Sequence, residues 1–131
     1  MNEELPNPTG RELEVMQVLW RLESATVREV FDDLNAGLRE PLAYTTVLRF
    51  LQIMTGKGLV TREDRDRSHV YRASVAPEAT KRQIARDLME RVFEGSACEL
   101  VLHALGGKKV KAAELAGIRD LMNQLEKGGS K

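Results

Sequence analysis

The stretch that decides the fold is Leu42–Ala73, which reads LAYTTVLRFLQIMTGKGLVTREDRDRSHVYRA. In its first half, apolar residues recur at the spacing that places side chains on one buried face of a helix. These residues are Val47, Phe50, Leu51 and Met54. A polar stripe lies on the opposite face, formed by Thr45, Arg49 and Gln52. Gly58 directly follows Lys57, and a glycine after a last-turn cation is typical of a helix end. The pattern predicts a helix over about residues 43–57.

The second half of this stretch predicts a two-stranded ribbon. Leu59–Glu63 leads into four charged residues, 64–67, which favour a tight polar turn. Ser68–Val75 then alternates, with His69, Tyr71, Ala73 and Val75 on one face. A helix with one polar face, followed by a ribbon with arginines at its tip, is typical of a winged helix-turn-helix domain that binds duplex DNA.

Two shorter helices are predicted before this stretch. Thr9 with Glu12, and Thr26 with Glu29, have the spacing of a capping box, in which each side chain bonds the other residue's backbone. The first helix should cover Gly10–Arg21, with Trp20 in the core. The second should end near residues 35–37, and Pro41 delays the third helix because it disfavours helical backbone at the residue before it.

The C-terminal part predicts three amphipathic helices. Pro77 suits a first helical position, Ser96 can cap a second helix, and a third follows the basic turn at 108–111. Helices spanning only about 50 residues cannot enclose a core alone. A second copy of the same helices would cover their apolar stripes in a two-fold dimer, and packing back onto the N-terminal domain is the alternative. The predicted dimer contacts are Leu100, Val101, Leu115, Ile118, Leu121, Met122 and Leu125.

These patterns predict a mainly α protein with a small β-hairpin wing. A winged helix-turn-helix DNA-binding domain is expected over residues 1–75 and a helical dimerisation domain over 76–127. A disordered tail is expected over 128–131.

Charge is unevenly distributed along the chain, although the net charge of the 131 residues is zero. Residues 1–40 hold four basic and nine acidic side chains, whereas residues 41–75 hold six basic and three acidic ones. The positive excess coincides with the predicted helix and ribbon, as neutralisation of phosphates requires. An ordinary solvated charged face would give a similar excess, so charge alone does not identify the partner.

Composition excludes several classes of protein. Cys98 is the single cysteine, so an internal disulfide is excluded and a reducing compartment is favoured. No apolar run reaches the length of a membrane span, and the N-terminus lacks the apolar segment of a secretory signal, so a cytoplasmic location is predicted. Cys98 and His103 lie five residues apart, on different faces of a helix, and His69 lies on a strand. This arrangement predicts neither an enzyme, a metal site nor a cofactor.

Several short segments, in this order and spacing, resemble the penicillinase-repressor (BlaI/MecI/CopY) family of bacterial winged-helix transcriptional repressors. The segments are TGRELEVMQVLW at 9–20, ATVREV at 25–30, AYTTV at 43–47, KGLV at 57–60 and YRA at 71–73. The match extends over roughly residues 5–125. The resemblance implies a homodimeric repressor that binds an inverted-repeat operator through its third helix, with the C-terminal helices forming the dimer.

The resemblance also assigns DNA-binding residues by position. Those expected to read bases are Tyr44, Thr45, Thr46 and Arg49. Those expected to contact phosphates, at the start of the second helix and on the wing, are Thr26, Arg28, Arg65 and Arg67. Threonine can contact a thymine methyl or a base edge, and arginine can bind guanine O6 and N7 together. A solvated polar face is the alternative interpretation of these side chains.

The chain departs from the family pattern at four places. Asp66 replaces the glycine that usually precedes the wing arginine, and Leu42 replaces a tryptophan common before the third helix. The aligned bond for the family's inactivating cleavage is His103–Ala104 rather than Asn–Phe, so recognition of this cleavage site is not predicted, and an upstream sensor or protease stays an open alternative. Cys98 alone cannot reproduce the cysteine cluster of the copper-responsive members. A winged-helix module that binds another protein instead of DNA remains the alternative function.

Overall fold

The computed structural model describes residues 5–65, 68–107 and 109–128. Within these ranges the chain forms six helices and three strands, and the predicted fold class is confirmed. The elements in order are α1 (Gly10–Leu22), β1 (Ala25–Thr26), α2 (Val27–Ala36), α3 (Tyr44–Lys57), β2 (Val60–Arg65), β3 (Ser68–Ala73), α4 (Pro77–Val92), α5 (Ala97–Leu105) and α6 (Ala112–Gly128).

The predicted helix starts are confirmed at both capping boxes. The Thr9 amide donates to Glu12 Oε1 at 3.0 Å, and the Glu12 amide donates back to Thr9 Oγ1 at 3.3 Å. The Thr26 amide donates to Glu29 Oε1 at 2.8 Å, with the reciprocal bond at 3.2 Å. Each pair satisfies two amides that have no partner within the helix, so each fixes where its helix begins.

The sheet has one strand more than the predicted two-stranded ribbon. Its order is β1-β3-β2, all antiparallel, with Ala25 opposite Tyr71. The segment before α2, predicted only as a break between two helices, forms β1 and pairs with β3. It was not predicted as a strand because two residues are too few to show alternation of apolar and polar side chains.

The predicted turn at 64–67 was also too long, because Asp64 and Arg65 belong to β2 and pair with His69 and Ser68. Polar residues continue the ladder there because this end of the ribbon is exposed. The other two residues of the predicted turn lie outside the described ranges.

The core lies between α1, α2, α3 and the sheet. Its fully or nearly buried apolar residues are Val15, Met16, Val18, Leu19, Ala25, Val27, Val30, Leu34, Val47, Leu51, Met54, Leu59, Val60 and Tyr71. The predicted buried face of α3 is confirmed, with Phe50 partly buried against this cluster. Trp20 packs at the edge of the core, where its Nε1 donates to the Val75 carbonyl at 2.9 Å.

The chain divides into two compact units, with the boundary between Arg86 and Asp87. The first part of α4 belongs to the N-terminal unit: Thr80 is buried, and Gln83 Nε2 donates to the Leu5 carbonyl at 2.6 Å and to Asn7 Oδ1 at 2.7 Å. The predicted functional boundary at residue 75 remains a prediction.

The second unit contains the remainder of α4 together with α5 and α6. Ser96 caps α5 as expected, accepting from the Glu99 amide at 3.0 Å. No residue of α5 or α6 is buried. Gly128, expected to begin the disordered tail, is the last residue of α6, a difference typical of helix ends; the rest of that tail lies outside the described ranges. None of the helices within the described ranges is long and apolar enough to cross a membrane.

An ion pair between a buried carboxylate and a partly exposed lysine joins the start of α1 to the end of α3. Lys57 Nζ lies 3.0 and 2.9 Å from the two carboxylate oxygens of Glu12, whose side chain is only 4% exposed. Burial by itself raises the pKa of Glu12, but hydrogen bonds from Thr9 and the Lys57 ammonium together outweigh burial and hold this pKa below its usual value. The ionised carboxylate is therefore favoured in the folded state.

Asn35 fixes the connection between α2 and α3. Its Nδ2 donates to the Leu42 carbonyl at 3.0 Å, and its Oδ1 accepts from the Leu42 amide at 2.8 Å. One side chain thus satisfies both backbone groups of a residue that lies two positions before α3 begins. Since Ala43 offers no side-chain cap, this pair of bonds sets the direction in which α3 leaves the loop.

We expect Glu12→Gln to lower the free energy of unfolding by about 1–3 kcal/mol at pH 7, because Lys57 loses its charged partner. A folded-state pKa below the ordinary value of 4.5 means that the carboxylate stabilises the fold above that pH. This contribution is lost as the pH falls through the folded-state pKa. Urea unfolding at a series of pH values should therefore show the difference between the two proteins shrinking below pH 4.5.

Glu14→Gln is the matched control, since Glu14 lies on the same helix in an exposed pair with Arg11. It should change the free energy of unfolding by less than about 0.5 kcal/mol. A Glu12→Gln difference that stayed constant from about pH 7 to pH 3 would contradict the assigned role of the ion pair.

We expect Asn35→Ala to lower the free energy of unfolding by about 1–3 kcal/mol, because two backbone groups of a half-buried residue lose their partners. Urea denaturation should show a lower midpoint with an unchanged slope. Arg39→Ala, an exposed change in the same loop, should have almost no effect. Equal stability of the Asn35 variant and the wild type would show that the two hydrogen bonds to Leu42 do not hold α3 in place.

Candidate nucleic-acid interface

The outward face of α3 carries the predicted polar stripe. Thr45, Arg49 and Gln52 are exposed, and Thr46 is half-buried. Directly behind the stripe, Val47 and Leu51 are completely buried. The helix therefore presents hydrogen-bonding side chains from a backbone that cannot rotate without breaking the core, which suits recognition of a rigid surface.

Tyr44 and Arg28 are brought together where the first turn of α2 meets the first turn of α3. The Tyr44 ring contacts Phe31 edge-on at a centroid distance of 5.5 Å. The Arg28 guanidinium lies 5.2 Å from both ring centroids and 3.9 Å from Asp32. Cation–π contacts hold the guanidinium at the start of α3. The structure thus places a predicted phosphate-binding residue beside a predicted base-reading one.

Thr26 has a structural role at its predicted position. Its hydroxyl caps α2, and its backbone forms β1 opposite Val70. Its side chain is therefore held at the N-terminus of α2, where backbone amides favour an anion.

The wing supplies one arginine that the sequence analysis did not single out. Arg62 is exposed on β2, and its Nε lies 3.4 Å from Asp64 Oδ1. The predicted wing residue Arg65 is the last residue of β2, and Arg67 lies outside the described ranges. Alternation along β2 indicates that Arg62 shares a face with Val60. Only the register of β2 against β3 shows that Arg62 is directly opposite Tyr71.

Asn35 was also missed as a positioning residue. Its partner lies seven residues away, beyond the local spacing that capping patterns cover. An asparagine near a helix end gives no indication of which backbone groups it will bind.

The residues predicted for the dimer contact lie largely exposed in the C-terminal unit. Leu121, Met122 and Leu125 are 55–60% exposed, and Val101 is 44% exposed. Leu115 is also exposed; Leu100 and Ile118 are half-buried. The described ranges contain no group of three or more histidine, cysteine or acidic side chains that could hold a metal ion.

Comparison with known proteins places this geometry in a family. The family model described as penicillinase repressor matches residues 8–124. The transcriptional regulator BlaI of Mycobacterium tuberculosis is 35% identical over 120 residues, covering 87% of this chain and 81% of that protein. The penicillinase repressor of Staphylococcus aureus is 18% identical over 116 residues, covering 88% and 90%.

Two solved structures agree with the fold. The DNA-binding domain of the repressor BlaI is 25% identical with a TM-score of 0.50, covering 58% of this chain and 90% of that domain. A complex structure of hsRosR-S4 is 15% identical with a TM-score of 0.53 and covers 96% of both chains, which supports the fold alone. The chain belongs to the penicillinase repressor family, a family of repressors rather than enzymes.

Proposed function

We propose that this protein is a cytoplasmic transcriptional repressor that binds an inverted-repeat operator in duplex DNA as a homodimer, with α3 in the major groove. The observation that carries the proposal is the exposed polar stripe of α3, backed by a buried face and flanked by a ribbon. Family membership supports the same conclusion, as does the similarity to a domain described as the DNA-binding domain of a repressor.

Sequence is read by the start of α3 in this proposal. Arg49 binds guanine O6 and N7, while Thr45 and Thr46 contact base edges or a thymine methyl. Tyr44 reaches the same surface, with its ring supported by Phe31. Each such contact discriminates by about 1–3 kcal/mol, so two or three in each half-site are enough for specific binding.

Phosphate contacts set the register of the protein on the duplex. Arg28 and Thr26 contact the DNA backbone from the start of α2, and Arg65 and Arg67 contact it from the wing. Such contacts position the protein without specifying sequence. They also make binding weaken steeply with salt, because bound counterions are released.

A second copy of the chain covers the exposed apolar side chains of the C-terminal unit. Leu121, Met122 and Leu125 are more than half exposed on one helix, which leaves apolar surface without a partner in the monomer. Two-fold pairing through these residues and the other predicted contacts on α5 and α6 joins two DNA-binding domains in one dimer. Their half-sites should be separated by roughly 34–36 Å or a multiple.

We expect Arg49→Ala to reduce sequence preference strongly while leaving the dimer intact. The operator is first selected with the wild-type protein from random duplexes long enough for two separated half-sites. Electrophoretic shifts on the selected and scrambled duplexes then give the ratio of their affinities. The variant should lose about 1–3 kcal/mol of discrimination in each half-site, because arginine supplies a bidentate base contact.

Arg82→Ala is the matched control, since it removes the same charge from an exposed position on α4. It should preserve the affinity ratio. An unchanged ratio for Arg49→Ala would show that Arg49 does not read bases. Wild-type binding that selects no sequence and does not weaken with salt would favour a module that binds another protein.

We expect Leu121→Asp combined with Leu125→Asp to give monomers with much weaker operator binding, because charges on the apolar face prevent pairing. Sedimentation equilibrium measures the mass. The control combines Asn123→Asp with Gln124→Glu, which adds the same charge to exposed positions of α6 without removing apolar surface. An unchanged dimer mass for the leucine variant would remove α6 from the proposed interface.

A further inference from the structure

A groove lies between α3 and the ribbon within the N-terminal unit. Its volume is about 420 Å³, and it is lined by Gln52, Thr55, Arg62 and Tyr71. Tyr71 is 1% exposed and forms the floor, while the other three side chains are exposed. The groove is therefore open to a ligand and has one permanently charged group on its wall.

The strand register places Arg62, Asp64 and His69 on the same face of the ribbon as Tyr71. Arg62 is opposite Tyr71, and Asp64 is opposite His69. Side chains two residues apart on a strand share a face, so Arg62 and Asp64 both lie on the face that carries Tyr71.

Asp64 is shared between two basic partners. Its Oδ1 lies 3.4 Å from Arg62 Nε and 2.7 Å from His69 Nδ1. The three side chains are 45–66% exposed, and an exposed ion pair such as that of Arg62 with Asp64 contributes little to stability. A phosphate oxygen can therefore displace Asp64 from Arg62 at small cost, whereas His69 continues to hold the carboxylate from across the ribbon.

We propose that Arg62 binds a backbone phosphate of duplex DNA lying across this groove, and that Asp64 restrains Arg62 by competing with that phosphate. This inference rests on the proposed function and adds a contact to it. Gln52 belongs both to the groove wall and to the polar stripe of α3. A duplex held against the stripe therefore brings its closely spaced phosphates to the groove.

The test measures the salt dependence of binding by full-length variants to the selected and scrambled duplexes, using fluorescence anisotropy. Over about 50–200 mM salt, Arg62→Gln should weaken binding to both duplexes by a similar factor. The slope of log K against log salt should become shallower by about 0.9 for each protomer bound, as expected for one lost phosphate contact. Arg62→Lys should restore the slope because the charge is retained.

Arg72→Gln is the matched control, because Arg72 is exposed on the same ribbon but pairs with Thr61 on the other face. Arg72→Gln should change the slope less than Arg62→Gln does. An unchanged slope in Arg62→Gln, or an equal loss in both variants, would overturn the assignment of Arg62. Wild-type protein that binds neither duplex would overturn the proposed function and this inference together.

A double-mutant cycle tests the restraint by Asp64. Asp64→Asn should tighten binding several-fold when Arg62 is present, and this gain should largely disappear in the Arg62→Gln background. Removal of a negative charge near DNA without competition for Arg62 would give the same gain in both backgrounds. Equal gains would therefore overturn the restraint while leaving the phosphate contact to be judged by the salt slopes.

Discussion

The ion pair between Glu12 and Lys57 is the constraint on which the position of α3 depends. Its partners are 45 residues apart and join the first turn of α1 to the last turn of α3. Glu12 also completes the capping box with Thr9, so one carboxylate fixes both the start of a helix and the end of another. A buried carboxylate is tolerated because several donors surround it, and removing one of them leaves a charge without compensation.

The two ends of α3 are held in different ways, and both matter for its outward face. Asn35 holds the segment before the first turn through the Leu42 backbone, and Lys57 anchors the last turn. Between them, Val47, Leu51 and Met54 are completely buried. Rotation of α3 would have to break polar bonds at both ends as well as the packing between them, so its exposed stripe keeps one orientation.

Local patterns in the sequence predicted most of the N-terminal fold. The capping boxes at Thr9 and Thr26 and the glycine at 58 depend on residues within one helical turn, so spacing alone identifies them. Periodicity likewise predicted which side of α3 is buried, and therefore which residues are available for binding. The segment equivalent to β1 was missed because it forms a strand only through its pairing with β3.

Contacts between distant residues could not be predicted in the same way. Glu12 was identified as a capping residue and Lys57 as a last-turn cation, yet no spacing rule links the two. Arg62 entered the sequence analysis only as part of a charge count. Its place opposite Tyr71 follows from the register of β2 against β3. The predicted turn at 64–67 did not give this register, because two of its residues belong to β2.

The distribution of charge on the ribbon has a consequence for affinity under the proposed function. Phosphate contacts dominate non-specific binding, whereas base contacts add only to the specific complex. If Asp64 competes for Arg62 as proposed, it weakens the specific and the non-specific complex by a similar factor, and the ratio of their affinities is set by the base contacts of α3. Discrimination between an operator and the far more numerous non-specific sites would then depend on the base contacts proposed for α3 and not on the ribbon. Under these proposals, a chain with zero net charge would bind DNA through local phosphate contacts whose strength is limited by one of its own acidic residues.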